Sequence, residues 1–312
     1  MEVIEAVDAD RIRALRGRGE PFWLRLTDPA EGDLHRVGQL LPIHPMAIED
    51  SQEFGQRAKF DAYPHGALLV FYGAQSGTGD RPKLVEVHLH VTDGALVTVT
   101  RQPLAALQAA VRRVAAIDPG HVGRALHGVL DELADRLLNT LDGFDGTIDD
   151  LQASVAENAT RAKRQHIFAL RRQLTELRHV VVPQRELLDP AGGLFATLGD
   201  AITDDDRVGF RDVHDHLDRA AGLIGSYREQ LGGVLDLYLT EVSNRMNQVM
   251  KRLTIVATVF LPLTFLTAFF GMNFGWFVQQ ISPMWTFWVF GIALAAAATA
   301  GLAVYLTRAG RG

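Results

Sequence analysis

Residues 253–307 read LTIVATVFLPLTFLTAFFGMNFGWFVQQISPMWTFWVFGIALAAAATAGLAVYLT, and these 55 residues contain no Asp, Glu, Lys, Arg or His. Residues 253–270 and residues 284–306 are each long enough to cross a hydrocarbon core of about 30 Å as a helix. The link between them is too short to be a domain. The run predicts two membrane-spanning helices at the C-terminal end; the alternative is a buried hairpin in a soluble protein.

Basic residues flank this apolar run on both sides. Lys251 and Arg252 precede the first predicted span, and Arg308 and Arg311 follow the second. Basic residues collect on the cytoplasmic side of a membrane. We therefore expect a multi-pass protein of the cytoplasmic (plasma) membrane, with both termini in the cytoplasm and the link outside.

The remaining residues, 1–252, carry all 37 acids and 29 of the 31 bases, a formal net charge of −8. Such a surface disfavours nucleic acid as a partner and attracts cations. The absence of cysteine excludes disulfides and thiolate metal sites. The N-terminal segment lacks the apolar core of a secretory signal. The motifs of P-loop ATPases, HExxH metalloproteases and Gly-x-Ser-x-Gly hydrolases are also missing, so we do not expect an enzyme.

The first 250 residues mix strand and helix signals. Residues 21–27, 83–91 and 95–101 read as strands, and Asp93-Gly94 predicts a tight hairpin between the last two. HPMAIEDSQ, at 44–52, reads as a short helix, and longer helices are predicted near 121–156 and 160–190. The predicted class is an α+β domain followed by helices.

A long helix is predicted after the acidic run at 204–206, because apolar residues recur at alternating spacings of three and four from 217 to 253. At 1.5 Å per residue, a helix that continues into the first span measures about 90–100 Å. Four glycines at 222, 225, 232 and 233 leave a break as the alternative. The predicted boundaries are 1–120 for the α/β domain, 121–202 for a helical hairpin, 203–252 for a stalk helix, 253–271 for the first span, 272–283 for the external loop, 284–307 for the second span and 308–312 for the tail.

Three segments carry a family resemblance: HPMAIEDSQEFGQRAKFDAY at 44–63, GFRDVHDHLDR at 209–219 and SNRMNQVMKRLTIVATVFLPLTFLTAFFGMNFGWF at 243–277. With the terminal hairpin, they make the chain similar to CorA-type metal-ion transporters. The resemblance implies a homopentamer in which an α+β cytoplasmic funnel domain and a long stalk helix lead into a two-helix transmembrane hairpin. The first spans of five subunits would line the pore. Family members pass Mg²⁺, Co²⁺ or Ni²⁺, and a ZntB-like branch is associated with zinc.

The resemblance also implies a selectivity ring at Gly271-Met272-Asn273, where Gly-Met-Asn closes the first span. Mg²⁺ loses its water shell reluctantly, so neutral amide oxygens from Asn273 suit a hydrated ion; a helix C-cap is the alternative role. Met250 and Leu253 would form an apolar constriction that closes by dewetting. The pore-lining positions that match the family are Asn247, Met250, Leu253, Ala257, Leu261 and Thr264. Ordinary helix packing is the alternative role for these positions.

The resemblance further implies regulation by divalent cations bound between adjacent cytoplasmic domains, and we expect no permanently bound cofactor. Carboxylates facing each other repel unless a divalent ion screens them, so such a joint responds to ion concentration. Solvated acids near helix ends are the alternative. The positions that match the family are Glu49, Asp50 and Asp212. Asp215 and His216 follow Asp212 by three and four residues, so they share its helix face and join the predicted regulatory set.

The metal preference stays open between Mg²⁺, Co²⁺, Ni²⁺ and Zn²⁺. The external link contains no acid that would concentrate cations. Two histidine pairs, His88 with His90 and His214 with His216, are compatible with zinc, although zinc sites usually need three or four ligands. The alternative functions are a ZntB-like zinc importer, for which the resemblance to that branch implies proton coupling, and a membrane-anchored binding protein that does not conduct.

Overall fold

The computed structural model describes residues 1–30, 32–76, 82–117, 120–189, 194, 198, 202–272, 275–280 and 283–309. The chain divides into two compact units, Met1–Leu237 and Tyr238–Gly312. The first unit is an α/β domain with its own buried core, and the second is helical.

The sheet of the first unit has the strand order β1-β2-β6-β5-β4-β3. Its strands are β1 (Glu2–Ile4), β2 (Phe22–Thr27), β3 (Lys59–Tyr63), β4 (Gly66–Ser76), β5 (Pro82–Thr92) and β6 (Ala95–Thr100). β1, β2 and β6 pair in parallel, whereas β6, β5, β4 and β3 pair antiparallel. The predicted β5–β6 hairpin is confirmed, and Gly94 in its turn has a φ of 81°, which favours glycine.

Helices cover both faces of this sheet. They are α1 (Ala9–Arg18), α2 (Asp33–Leu40), α3 (Pro45–Gln52), α4 (Ala105–Ile117), α5 (Val122–Glu157) and α6 (Arg161–Leu187). α1, α2 and α3 share a buried apolar cluster with one face of β2, β4 and β6. On the other face α5 approaches β4 so closely that a Cβ on Gly73 would lie 2.6 Å from Leu133. The long helices predicted near 121–156 and 160–190 are confirmed.

The longest element is α7 (Asp204–Phe270), an uninterrupted helix of 67 residues. Its start is fixed by a reciprocal cap, in which Thr203 N–H donates to Asp206 Oδ2 at 2.8 Å and Asp206 N–H donates to Thr203 Oγ1 at 3.2 Å. The helix passes Pro262 and the four glycines without a break. The prediction of a single helix from the acidic run into the first apolar span is therefore confirmed.

The second unit continues from α7 through α8 (Gly275–Gln280), α9 (Met284–Thr286), a π-helical segment (Phe287–Ala293) and α10 (Leu294–Ala309). The π-helical turn ends where Leu294 N–H donates to Val289 O. The sequence predicted one plain helix for the second span and did not predict α8 within the link. Neither stretch contains a proline or a helical apolar period that would reveal it in the sequence.

Candidate functional site

An acidic cluster forms where α5 and α7 pack against each other. Asp131 and Asp135 lie one turn apart on α5, and Asp212 and His216 lie one turn apart on α7, so each pair shares a helix face. Ligand atoms of Asp131, Asp212 and His216 all lie within 4.8 Å of one another. Two carboxylates and an imidazole at this separation are suited to a divalent cation.

The two helices meet closely because a glycine stands one turn before Asp212. A Cβ on Gly209 would lie 2.7 Å from the ring of His127 on α5. The His127 ring also packs edge-on against Phe210, with centroids 5.7 Å apart. Gly209 therefore sets the spacing that brings the α7 ligands to those of α5.

Asp131 is the buried member of the cluster, with 4% of its surface exposed. Its Oδ2 accepts a hydrogen bond from Arg113 on α4, while its Oδ1 lies 3.8 Å from His216 Nδ1. Arg113 thus orients the carboxylate and leaves the second oxygen for the cluster, as outer partners of metal ligands do.

His216 Nδ1 is buried and has no hydrogen-bond partner among the residues that the structure describes, although it lies 3.0 Å from Asp135 Oδ1. The two atoms are close, but their orientation does not meet the geometry of a hydrogen bond. Burial, and then the neighbouring charge of Asp131, raise the pKa of Asp135. A divalent cation would satisfy the free nitrogen and relieve the repulsion between the two carboxylates.

The other predicted regulatory residues lie elsewhere in this single chain. Glu49 is exposed on α3, and Asp50 Oδ2 is bound by Lys59 Nζ at 2.6 Å, with Asp61 Oδ2 at 2.8 Å from the same Nζ. Burial opposes the charged form of Lys59, but hydrogen bonds to the two aspartates outweigh it and raise its pKa. Asp215 is exposed, with Oδ1 3.5 Å from His214 Nδ1. Of the predicted set, the structure brings only Asp212 and His216 together.

The histidine pair on β5 belongs to a buried hydrogen-bond network. Ser51 Oγ lies 2.8 Å from His90 Nε2 and 3.1 Å from His88 Nδ1, and His88 Nε2 lies 2.7 Å from Glu86 Oε1. Burial, reinforced by His88, lowers the pKa of His90 to about 3. Burial raises the pKa of Glu86, but the bonds from His88 and the Gly55 N–H outweigh it and lower the pKa overall. The network ties α3 to β5, which is a structural role.

The predicted pore residues all lie on the C-terminal part of α7, and every one is exposed in the single chain: Asn247, Met250, Leu253, Ala257, Leu261 and Thr264. The Thr264 hydroxyl donates to Phe260 O at 2.7 Å, and Thr258 donates to Thr254 O at 2.7 Å. The hydroxyl hydrogen of each threonine is therefore bonded to a backbone carbonyl of the same helix.

The end of the first span is also visible. Gly271 N–H donates to Thr267 O at 3.0 Å and Met272 N–H donates to Phe269 O at 3.3 Å, which closes the last turn of α7. Asn273 lies outside the described residues, so its predicted role stays a prediction. Two helices, Asp204–Phe270 and Met284–Gly301, are long and apolar enough to cross a membrane, and the apolar window of the first is entirely unburied.

Comparison with known proteins gives a consistent result. The model of the family described as CorA-like Mg²⁺ transporter protein matches residues 19–308. The cobalt/magnesium transport protein CorA of Thermotoga maritima is 30% identical over 280 residues, covering 86% of this chain and 78% of that protein. The zinc transport protein ZntB of Yersinia enterocolitica is 26% identical, covering 82% of this chain and 78% of that protein.

A solved structure shares the fold along almost the whole chain. The CorA magnesium transporter of Methanocaldococcus jannaschii superposes with a TM-score of 0.78 at 20% identity, covering 92% of this chain and 89% of that one. The family match includes β2 to β6, α7 and both apolar helices. The chain therefore belongs to the CorA-like Mg²⁺ transporter protein family.

Proposed function

We propose that this chain is the subunit of a homopentameric channel that passes hydrated Mg²⁺, with Co²⁺ or Ni²⁺ as further substrates, across the cytoplasmic membrane. The observation that carries the proposal is the C-terminal part of α7, an apolar helix whose predicted lining residues are all unburied in one copy. Two spans cannot enclose a polar path, so several copies must supply it. Both termini lie in the cytoplasm in this arrangement.

The selectivity element in this proposal is Asn273, held just beyond the turn that Gly271 and Met272 close. Five carboxamide oxygens would accept hydrogen bonds from the water shell of a Mg²⁺ ion without stripping it. Met250 and Leu253 would form the apolar constriction below, and Asn247 would receive the hydrated ion on the cytoplasmic side. None of these groups is charged, so the ion is not trapped on its way through.

The gate in this proposal responds to divalent cations at the α5–α7 cluster. An ion bound by Asp131, Asp212 and His216 would neutralise the cluster and hold the closed state, and its loss would restore repulsion among the carboxylates. Glu49, Asp50 and Asp215 are exposed or half-buried and would contribute from a neighbouring copy. Lys59 competes for Asp50, because its ammonium already occupies one carboxylate oxygen.

Zinc transport is the second candidate, and one observation favours it. The cluster contains His216, and imidazole is a ligand that suits Zn²⁺, Co²⁺ and Ni²⁺ better than Mg²⁺. ZntB of Yersinia enterocolitica also covers most of the chain. In this version a proton gradient would drive zinc import.

Purified protein in liposomes tests the proposal by uptake of Mg²⁺, Co²⁺, Ni²⁺ and Zn²⁺, with and without a pH gradient. We expect Mg²⁺ uptake independent of the gradient, reduced at least tenfold by Asn273→Ala because the only proposed outer-mouth ligand is removed. Asn139→Ala, an exposed asparagine on α5, is the matched control and should leave uptake unchanged. Zinc uptake that follows the pH gradient would select the second candidate. No uptake of any ion by the wild type would leave a non-conducting, membrane-anchored binding protein.

The same vesicles test the gate. Asp212→Asn removes one charge from the cluster, so we expect inhibition by internal Mg²⁺ to need at least fivefold more Mg²⁺. Asp218→Asn, an exposed aspartate on the same helix, is its control. Equal inhibition of wild type and Asp212→Asn would remove the cluster from the gate while leaving the conduction result intact.

A further inference from the structure

The first unit contains a cavity of about 510 Å³ whose lining shares no residue with the α5–α7 cluster. It lies between the segment that leaves α3 and the C-terminal half of α6, and its polar lining includes Arg57, Arg178 and His179. Small-molecule pockets usually measure about 300–1,000 Å³. The cavity is therefore large enough for an organic ligand.

The charge of this cavity is opposite to that of the chain. Arg57 and Arg178 are exposed, and within the described residues neither side chain makes a hydrogen bond or an ion pair. No acid contributes to the described lining, although the chain holds 37 acids against 31 bases. α6, which carries Arg178, has seven bases and two acids, a net of +5. Guanidinium groups bind phosphate oxygens in a bidentate fork, so the cavity suits a phosphorylated ligand.

One wall of the cavity is already held in place. The Glu86 carboxylate accepts hydrogen bonds from Gly55 N–H at 2.5 Å and Gln56 N–H at 3.2 Å, and the Tyr72 hydroxyl donates to Gln56 O. Gln56 Nε2 donates to Asp50 O at 2.5 Å. Glu86 thus directs its charge at backbone donors and His88. A wall fixed in this way lowers the ordering cost of binding.

The remaining lining is apolar with a polar edge. Ala58, Val180 and Pro183 provide apolar surface. Pro183 has no N–H to donate to the carbonyl of His179 one turn earlier, so this helix leaves an acceptor beside the apolar patch. An apolar surface with a neighbouring acceptor fits a flat base that carries an amino group.

We propose that this cavity binds a nucleotide, with its phosphates on Arg57 and Arg178 and its base against Ala58, Val180 and Pro183. The site goes beyond the transport function and does not depend on it. The wall reaches α3 through the Gln56–Asp50 hydrogen bond, so a bound nucleotide is placed to influence the helix that carries Glu49 and Asp50.

Calorimetric titration of the full-length protein in detergent, with ATP in EDTA at constant ionic strength, tests the proposal. We expect a dissociation constant below about 1 mM, weakened at least tenfold, about 1.4 kcal/mol, by Arg57→Gln and by Arg178→Gln. Both residues are exposed, so the variants should keep the wild-type circular dichroism. Arg164→Gln, which removes the same charge from an exposed site on α6, is the matched control and should bind as the wild type does.

Inorganic phosphate separates a nucleotide from a bare anion. It should bind at least tenfold more weakly than ATP, because it leaves the apolar wall unused. Equal affinities for phosphate and ATP would overturn the assignment of a nucleotide. An equal loss in Arg164→Gln would show only general attraction to α6, and no heat up to 10 mM ATP would overturn the site itself. None of these results depends on whether the protein conducts ions.

Discussion

Leucines on the same helix have opposite surroundings in the two units of the molecule. On α7, Leu217 and Leu231 are 0% exposed in the first unit, whereas Leu253 and Leu261 are 60% and 74% exposed in the second. Residue type and backbone are the same, so the difference lies in what surrounds the helix. The first unit supplies its own apolar environment. The second leaves its apolar surface for lipid or for other copies of the chain, as a membrane protein does.

The largest expected effect tests this difference directly. Leu231→Ala removes a fully buried side chain and should lower the free energy of unfolding by about 2–5 kcal/mol. Leu239→Ala, at a position that is 56% exposed, should change it by less than about 0.5 kcal/mol. Urea denaturation of the detergent-purified protein, followed by circular dichroism, measures both. Equal losses would mean that other copies bury α7 already at Leu239.

A second prediction concerns polar groups in the same buried environment. The pKa of His90 is about 3 in the folded protein and about 6.5 in an unfolded chain, because burial disfavours the charged ring. The unfolded chain therefore takes up a proton that the folded chain does not. The stabilisation is complete above pH 6.5, falls as pH decreases towards 3, and should have decreased by about 2 kcal/mol at pH 5.

Urea denaturation at pH 5 and pH 7.5 measures this pH dependence. His90→Gln should flatten it while keeping a polar group beside Ser51. The titratable groups that act on His90 are His88, which lowers its pKa, and Asp50, which raises it. Glu86 acts through His88. Identical pH dependence in the wild type and His90→Gln would assign the effect to one of these neighbours.

The smallest expected effect tests whether the face of α7 at Gly222 is exposed. A Cβ on Gly222 would meet nothing within 4 Å, so Gly222→Ala should raise the free energy of unfolding by about 0.5–1 kcal/mol. Gly209→Ala is the contrasting control, since its Cβ would meet the His127 ring at 2.7 Å and destabilise the fold. A loss of stability in Gly222→Ala would show that a neighbouring copy covers this face.

Local patterns predicted β2, β5, β6, α3 and the long helices of this fold, but not β1, β3 or β4. The apolar period of α7 and the Asp93-Gly94 turn depend on residues that are close together in the sequence, and the structure confirms both elements. The parallel pairing of β2 with β6 joins residues more than 70 positions apart, as in Phe22 opposite Ala95. No local signal specifies such a partner, because strand order depends on how the whole sheet is packed.

The sequence predicted two of the four residues of the candidate site. The family resemblance indicated Asp212, and the helical spacing from Asp212 indicated His216, but neither indicated Asp131 and Asp135 on α5. The spacing of four between these two aspartates was visible on a predicted helix and marks a shared face. What could not be read is the contact between the helices, since it depends on the missing side chain at Gly209. Glu86 was also missed, although it alternates with His88 and His90 on one face of β5.

The threonine hydroxyls of the first span carry a directional polarity. The hydrogen of Thr264 is committed to Phe260 O, so the oxygen offers only lone pairs to any neighbour. Water molecules that hydrate a cation point both hydrogens outwards, whereas each water that hydrates an anion has one hydrogen committed to the ion. If Thr264 faces the ion path, as proposed, its lone pairs would accept hydrogen bonds from the water shell of a cation. The helix would then favour hydrated cations over hydrated chloride without a formal charge.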